Sequence, residues 1–220
     1  MGIENKKKII YCIADIHGCI EGLSVPECDI LLIAGDISKH GRQFYKDVNW
    51  LSFNFNLWLN DQPAKQIIMT PGNHDIIFDQ AKSLVPKLNC KVLIDELIEV
   101  EGIKIYGSPW SKEFYDWAFN LSEDKLKLVW DKIPEGIDIL LVHSPPYGIL
   151  DMTQNPRYES KHIGSESLLH RIKEIRPKYV IFGHNHGQPG TVEEDGIVFI
   201  NATLLNDAYQ KVNPPILIEI

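Results

Sequence analysis

Seven residues of metal-ligating type stand directly behind apolar runs of this chain: Asp15, His17, Asp36, Asn73, His143, His184 and His186. Imidazoles and carboxylates in this number, joined by one amide, are the donors that hold borderline divalent cations. The runs ahead of them, residues 9–14, 30–34, 66–70, 137–142 and 179–182, are rich in Ile, Val and Leu and short enough to read as buried strands. Four of these runs end on a ligand-type residue directly or after one glycine, and the third reaches Asn73 through Pro71-Gly72. Ligands of open α/β sheets sit outside the carboxyl ends of the strands, so the seven residues are expected to meet in one crevice.

A single Asp or His behind a strand is most simply a turn residue or a cap. Five such blocks in succession are not explained that way. His17, His74, His143, His184 and His186 all follow strand ends, whereas His40, His162 and His170 lie in a loop and in helical segments and read as surface or packing residues. In Asp15-Ile16-His17 and His184-Asn185-His186 the donors are two apart, which puts both on one face of an extended chain. Gly35, Gly72 and Gly183 each precede a ligand-type residue, where a missing Cβ lets backbone approach the crevice.

The elements that must carry these residues follow from periodicity. Residues 43–60 space Phe44, Val48, Leu51, Phe55 and Trp58 as on one face of a covering helix. Further helices are expected over 76–86, over 122–131 with Ser122 as N-cap, and over 164–175. Short strands are expected at 90–94, 97–100 and 104–106, then at 190–194 and 197–201 around an Asp195-Gly196 hairpin turn, and at 216–220. Strands alternating with helices and then giving way to an antiparallel C-terminal section predict mixed sheets with helices outside. Asp75 is expected chiefly to cap the helix that follows it, the alternative being to orient His74.

At 220 residues, with 44% hydrophobic and 24% charged residues, the chain suits one substantial core, and residues 1–220 read as a single domain. A formal charge of -8 excludes the basic footprint of a protein that grips duplex nucleic acid, but a cation cluster can still make one cleft positive for small anions. The N-terminal segment resembles neither a signal peptide nor a membrane span, which predicts a cytoplasmic protein with no membrane partner. Cys12, Cys19, Cys28 and Cys90 form no CxxC pair and are expected to be reduced thiols, Cys12 in the core and Cys19, which follows the first motif and could border the site, chiefly a packing residue.

In order, the blocks Asp15-x-His17, Gly35-Asp36, Gly72-Asn73-His74-Asp75, a lone His143 and Gly183-His184-x-His186 resemble the signature of the calcineurin-like metallophosphoesterase superfamily. That resemblance implies a four-layer αββα sandwich of two mixed β-sheets and a centre of two divalent metal ions. By the same resemblance, Asp15, His17 and His186 would hold one ion, Asn73, His143 and His184 the other, and Asp36 would bridge them. A bridging carboxylate has two oxygens for two cations, which makes the division chemically sensible. Mixed imidazole and oxygen donors suit Mn, Fe, Zn or Ni better than Mg or Ca.

Around these blocks, Gly107-Ser108-Pro109-Trp110, Trp117-Ala118-Phe119-Asn120, Ser144-Pro145-Pro146-Tyr147-Gly148, Asn201-Ala202 and Asn213-Pro214-Pro215-Ile216 resemble the metallophosphoesterase-domain-containing group. Members of that group that hydrolyse cyclic nucleotides or simple phosphodiesters imply a phosphodiesterase here. Some animal members have glycine at the first histidine of GHxH, whereas this chain has His184, which argues for full activity. The GDxxDRG and GNHE blocks of the Ser/Thr protein phosphatases are not matched by Gly35-Asp36-Ile37-Ser38-Lys39-His40-Gly41 or by Asp75, which argues against a protein phosphatase.

The expected reaction is in-line attack of a metal-bridging hydroxide on the phosphorus of a small phosphate ester, the ions roughly 3.5–4 Å apart. His74 is the candidate general acid for the leaving oxygen, and Asn73 and His74 are expected to touch the substrate phosphate. Trp110, Phe114, Tyr115 and Trp117 form an aromatic segment read chiefly as core, with Trp110 the candidate to stack a base. The alternatives are a phosphomonoesterase of a small metabolite, and a metal-binding regulatory or scaffold protein of the same fold with little turnover.

Overall fold

The computed structural model describes residues 7–39, 41–153 and 162–220, so the reading of His40 lies outside the described residues. The strands in chain order are β1 (Ile9–Ile13), β2 (Cys28–Ala34), β3 (Ala64–Thr70), β4 (Lys91–Val92), β5 (Glu96–Val100), β6 (Ile103–Ser108), β7 (Ser111–Lys112), β8 (Asn120–Leu121), β9 (Ile139–Val142), β10 (Tyr179–Phe182), β11 (Gly190–Glu194), β12 (Ile197–Asn201) and β13 (Ile216–Glu219). The α-helices are α1 (Phe44–Asn49), α2 (Asn56–Asp61), α3 (Ile76–Gln80), α4 (Glu123–Trp130) and α5 (Glu166–Ile175).

Alternation along the strands decides the layering. Ile30, Leu32 and Ala34 of β2 face the same buried layer as Ile139 and Leu141 of β9 and Ile181 of β10, which therefore lies between two sheets. The neighbours Leu31 and Ile33 face Leu51, Phe55, Trp58 and Ile77 of the helices on one outside. Leu140, Val142, Val180 and Phe182 face Leu126, Trp130, Leu168 and Ile172 of α4 and α5 on the other. The result is a four-layer αββα sandwich, and it explains why the strands read as continuous apolar runs: both faces are covered.

One sheet has the order β13-β1-β2-β3-β4 and the other β11-β12-β10-β9-β6-β5. In both, the inner strands are parallel, β1 to β2 to β3 and β12 to β10 to β9 to β6, so their carboxyl ends emerge on one edge. The C-terminal section departs from the purely antiparallel arrangement expected of it. β12 is antiparallel to β11 but parallel to β10, and β13 crosses to the first sheet to pair antiparallel with β1. Between them the chain stitches the two sheets, with Ala202 N–H donating to the Phe182 carbonyl at 2.8 Å and Ala14 N–H donating to that of Ala202 at 2.8 Å.

Three helical or strand expectations are corrected. Residues 44–61 are helical, but Trp50–Phe55 forms a π-helical stretch between α1 and α2. The i→i+5 repeat of that wider turn brings Trp50 over Phe55, whose rings stack at 5.3 Å and 18°. The helix expected to Pro86 ends at Gln80, because Ala81 leaves helical space (φ -140°, ψ 44°), and a single 3-10 turn at Lys82–Leu84 follows. The strand expected over 90–94 keeps only Lys91–Val92, since the next carbonyl, that of Leu93, is taken by the Thr70 hydroxyl at 3.1 Å.

Among the described residues no helix is long and apolar enough to cross a membrane. The fully buried Leu32 of the inter-sheet layer and the 62% exposed Leu57 of α2 provide a matched test of this layering. Leu32→Ala is expected to cost about 2–5 kcal/mol in urea unfolding and Leu57→Ala about 0.5 kcal/mol or less.

Candidate metal centre

Each expected ligand sits where its strand leaves the sheet. Asp15 and His17 follow β1, Asp36 follows β2, Asn73 and His74 follow β3, His143 follows β9, and His184 and His186 follow β10. Their local geometry is not the extended one predicted from the two-residue spacing. Asp15, His17, Asp36 and His184 all have left-handed backbone, with φ of 54°, 43°, 53° and 68°. The donors of Asp15-Ile16-His17 therefore converge through a tight turn, with Ile16 buried in the helix-side core. Non-glycine residues take such conformations at a cost, and a cluster of them marks a site whose geometry the fold enforces.

The glycines act mainly through space. A Cβ on Gly72 would strike the carboxylate of Asp36 and the His143 ring, and one on Gly183 would strike the carboxylate of Asp15. Neither position tolerates a side chain without moving an expected ligand.

The donors meet in three overlapping groups, Asp15 with His17 and His186, His17 with Asp36 and His74, and Asp36 with His143 and His184, the ligand atoms of each lying within 4.8 Å of one another. Asp36 belongs to two of them. Its Oδ2 lies 3.6 Å from Nε2 of His17 and 3.4 Å from Nε2 of His143, while Oδ1 accepts the His74 backbone N–H at 2.7 Å. Asp15 accepts the His184 N–H and stands 3.5 Å from Nε2 of His186. Nε2 of His143 is 2.9 Å from the Asn73 amide oxygen.

The outer ring nitrogens are held by backbone. His143 Nδ1 is 2.9 Å from the Ala34 carbonyl and His186 Nδ1 is 3.1 Å from that of Asn206, an arrangement that turns both Nε2 atoms inward as metal-binding imidazoles require. The residues fit a divalent cation on a second ground. Nε2 of His17 is buried and without a hydrogen-bond partner among the described residues, a costly state that a cation would relieve.

The two carboxylates hold two of the histidines above the ordinary imidazole range. Burial opposes a charge on His143, but Asp36 and then Asp15 lift it to about 9. Burial also opposes a charge on His186, and the hydrogen bond and charge of Asp15 lift it to about 9. His17 goes the other way, with burial lowering it to about 4 against the pull of Asp36. Burial, and then the charge on His143, lower His184 to about 3. Burial would raise Asp36, yet His143 and His74 hold it well below the carboxylate range.

Asp75 is not the helix cap that its position before α3 predicts, for its side chain makes no cap hydrogen bond. Its carboxylate instead accepts N–H groups of Gly72 at 2.8 Å, Ser38 at 2.8 Å and Ile37 at 3.2 Å, clamping the loop behind β2 to the loop behind β3. Burial and then Asp36 push it up to about 6 despite those three donors. Trp110 touches none of the ligand rings. Its indole N–H donates to Asp95 at 2.8 Å and its ring meets Phe119 edge-on at 5.5 Å. Trp117 is the tryptophan beside the site, 4.1 Å from the His74 ring. Sequence reasoning also missed Tyr209, whose ring lies against His17 and His186, and it gave no role to Asn201, singled out only as part of a family-like block, whose amide donates to the Asn185 carbonyl at 2.7 Å. No local pattern points to Tyr209; only the fold brings its loop to the site. His162 pairs with Asp151 at 2.8 Å and the exposed His170 with Glu174 at 3.1 Å, both outside the cluster.

The profile of the calcineurin-like phosphoesterase family matches residues 9–188, and the chain belongs to that family. It is 33% identical to metallophosphoesterase domain-containing protein 1 of Homo sapiens, and equally to that of Mus musculus, over 95% of this chain and 70% of each relative. Among solved structures it resembles a phosphopantetheinyl hydrolase from Mycobacterium tuberculosis, with a TM-score of 0.58 at 16% identity over 92% of this chain and 91% of that one. The fold of TT1561 from Thermus thermophilus is similar as well, with a TM-score of 0.55 at 14% identity over 89% of each chain.

Asp75→Asn replaces one of two accepting oxygens with an amide donor facing backbone N–H groups. It is expected to destabilise the protein by about 2–4 kcal/mol and to weaken Mn²⁺ binding by about tenfold or more, read by thermal unfolding and calorimetric titration.

Proposed function

We propose that this protein is a phosphoesterase built around two divalent cations, acting on small phosphodiesters such as cyclic nucleotides. The observation that carries the reading is the shared carboxylate: Asp36 lies between the His17 side and the His143 side of one buried pocket. In this reading Asp15, His17 and His186 hold one ion, Asn73, His143 and His184 the other, and Asp36 joins them. Mn, Fe, Zn or Ni would suit these donors. When bound, such ions acidify water and offset the charge of phosphoryl oxygens.

The chain's own groups do the rest. Asp36 and Asp15 fix the donors through the backbone N–H groups of His74 and His184. His74 is half-buried and flanked by the rings of His17 at 4.8 Å and Trp117 at 4.1 Å, and in this reading it would give a proton from its imidazole to the leaving oxygen. Asn73 and His74 would both reach the phosphate. Trp110, held by Asp95 and edge-on to Phe119, would in this reading stack the base of such a substrate.

Purified protein with Mn²⁺ is expected to hydrolyse bis(p-nitrophenyl) phosphate and at least one cyclic nucleotide, and Asp36→Asn to lower kcat/KM by more than about 100-fold. Two bound metals with no turnover on mono- or diesters would instead identify a metal-binding scaffold. His74→Ala is expected to lower kcat by about 10²–10⁴-fold for alkyl leaving groups and much less for p-nitrophenolate, with metal content intact; loss of metal in this variant would make His74 a ligand.

A further inference from the structure

Tyr209 lies against two of the expected ligands at once. Its ring meets His17 at 4.9 Å and 74° and His186 at 5.2 Å and 67°, edge-to-face contacts with two expected ligands of the same ion. Yet 52% of the residue is exposed, so the ring stands at the mouth of the centre and not in its floor. Its backbone is left-handed, with φ 57°, a conformation that glycine or asparagine adopts readily and a bulky aromatic residue does not.

The turn that imposes this conformation is built onto the metal centre. The Asn206 side chain accepts the N–H groups of Ala208 at 3.0 Å and Gln210 at 2.9 Å. The Asn206 carbonyl accepts the Tyr209 N–H at 2.8 Å and is the same oxygen that faces His186 Nδ1 at 3.1 Å. Lys211 then ties the turn to the Glu21 carbonyl beyond β1 at 2.7 Å. Tyr209 is thus fixed relative to His186 by one shared atom. Trp117 differs, because its ring is partly buried against the helix-side core and lies over His74 at 4.1 Å and 32°, which suits a buttress for that imidazole.

We propose that Tyr209 is a specificity-determining residue, stacking a planar aromatic group carried next to the phosphorus of the substrate at the mouth of the metal centre. The inference rests on the phosphoesterase reading of the same site. A ring fixed beside two ligand imidazoles stands within reach of a substituent on a phosphoryl group bound there, and an aromatic face is matched better by a flat π-system than by an aliphatic ring of similar size.

Phosphonates test this without turnover, since their P–C bond survives hydrolysis. Calorimetric titration of the Mn²⁺-loaded protein is expected to show phenylphosphonate binding about tenfold more tightly than cyclohexylphosphonate. Tyr209→Phe should keep that ratio, and Tyr209→Leu should bring it to within about twofold of unity. A wild-type protein without the preference, or a Tyr209→Leu variant that retains it with its metal content unchanged, overturns the role of Tyr209. Methylphosphonate separates the two levels: if it fails to bind the metal-loaded wild type, the phosphoesterase reading falls and the stacking role with it.

Discussion

Everything at the strand-end edge is organised around one buried carboxylate. Asp36 is only 2% exposed, yet its neighbours hold it charged, one oxygen on a backbone N–H and the other between two imidazoles from different sheets. A charge so far from water is tolerable only with counter-charge at hand. The neighbouring imidazoles, His143 first, supply it, and divalent cations would supply it when bound. The same donor atoms therefore serve the stability of the pocket and its capacity for metal.

That arrangement ties the two sheets together. His143 comes from the second sheet and reaches the Ala34 carbonyl and the Asn73 amide of the first. Asp15 comes from the first and accepts the His184 N–H of the second. The path from β12 through Ala202 to β1 adds a backbone link beside them. Small displacements of one sheet against the other would separate the donors, so the buried layer of Ile30, Leu32, Leu141 and Ile181 positions the chemistry as well as stabilising the fold.

The loops are strained where they carry donors. Left-handed backbone is held there by hydrogen bonds that reach across strands, from Asp15 N–H to the Gly35 carbonyl, from His17 N–H to that of Asp36 and from His184 N–H to the Asp15 carboxylate, and Asp75 adds two from Ile37 and Ser38. Four such residues among the donors, opposed by a rigid surround, fit the pattern of a preorganised site, in which a ligand meets its partners already oriented.

The parallel strands, the ligand-type residues behind them and their order were legible in the sequence, because buried strands write themselves as apolar runs and the donors follow at once. Family membership follows from those same blocks. What escaped a sequence reading depends on contacts between distant segments. Asp75 reads as a cap by its place before α3, and only the packing of two loops makes it a clamp. Trp110 and Trp117 are equivalent by composition, and the fold alone sets one against Asp95 and the other against His74. Tyr209 lies in a polar C-terminal stretch with no periodic signal, and it reaches His17 because β13 returns to the first sheet. Local chemistry and periodicity are properties of neighbours in sequence, and so the sequence by itself determined the donors. Which oxygen faces which imidazole, and which ring guards the entrance, is set by crossings between sheets, and only the tertiary structure decided it.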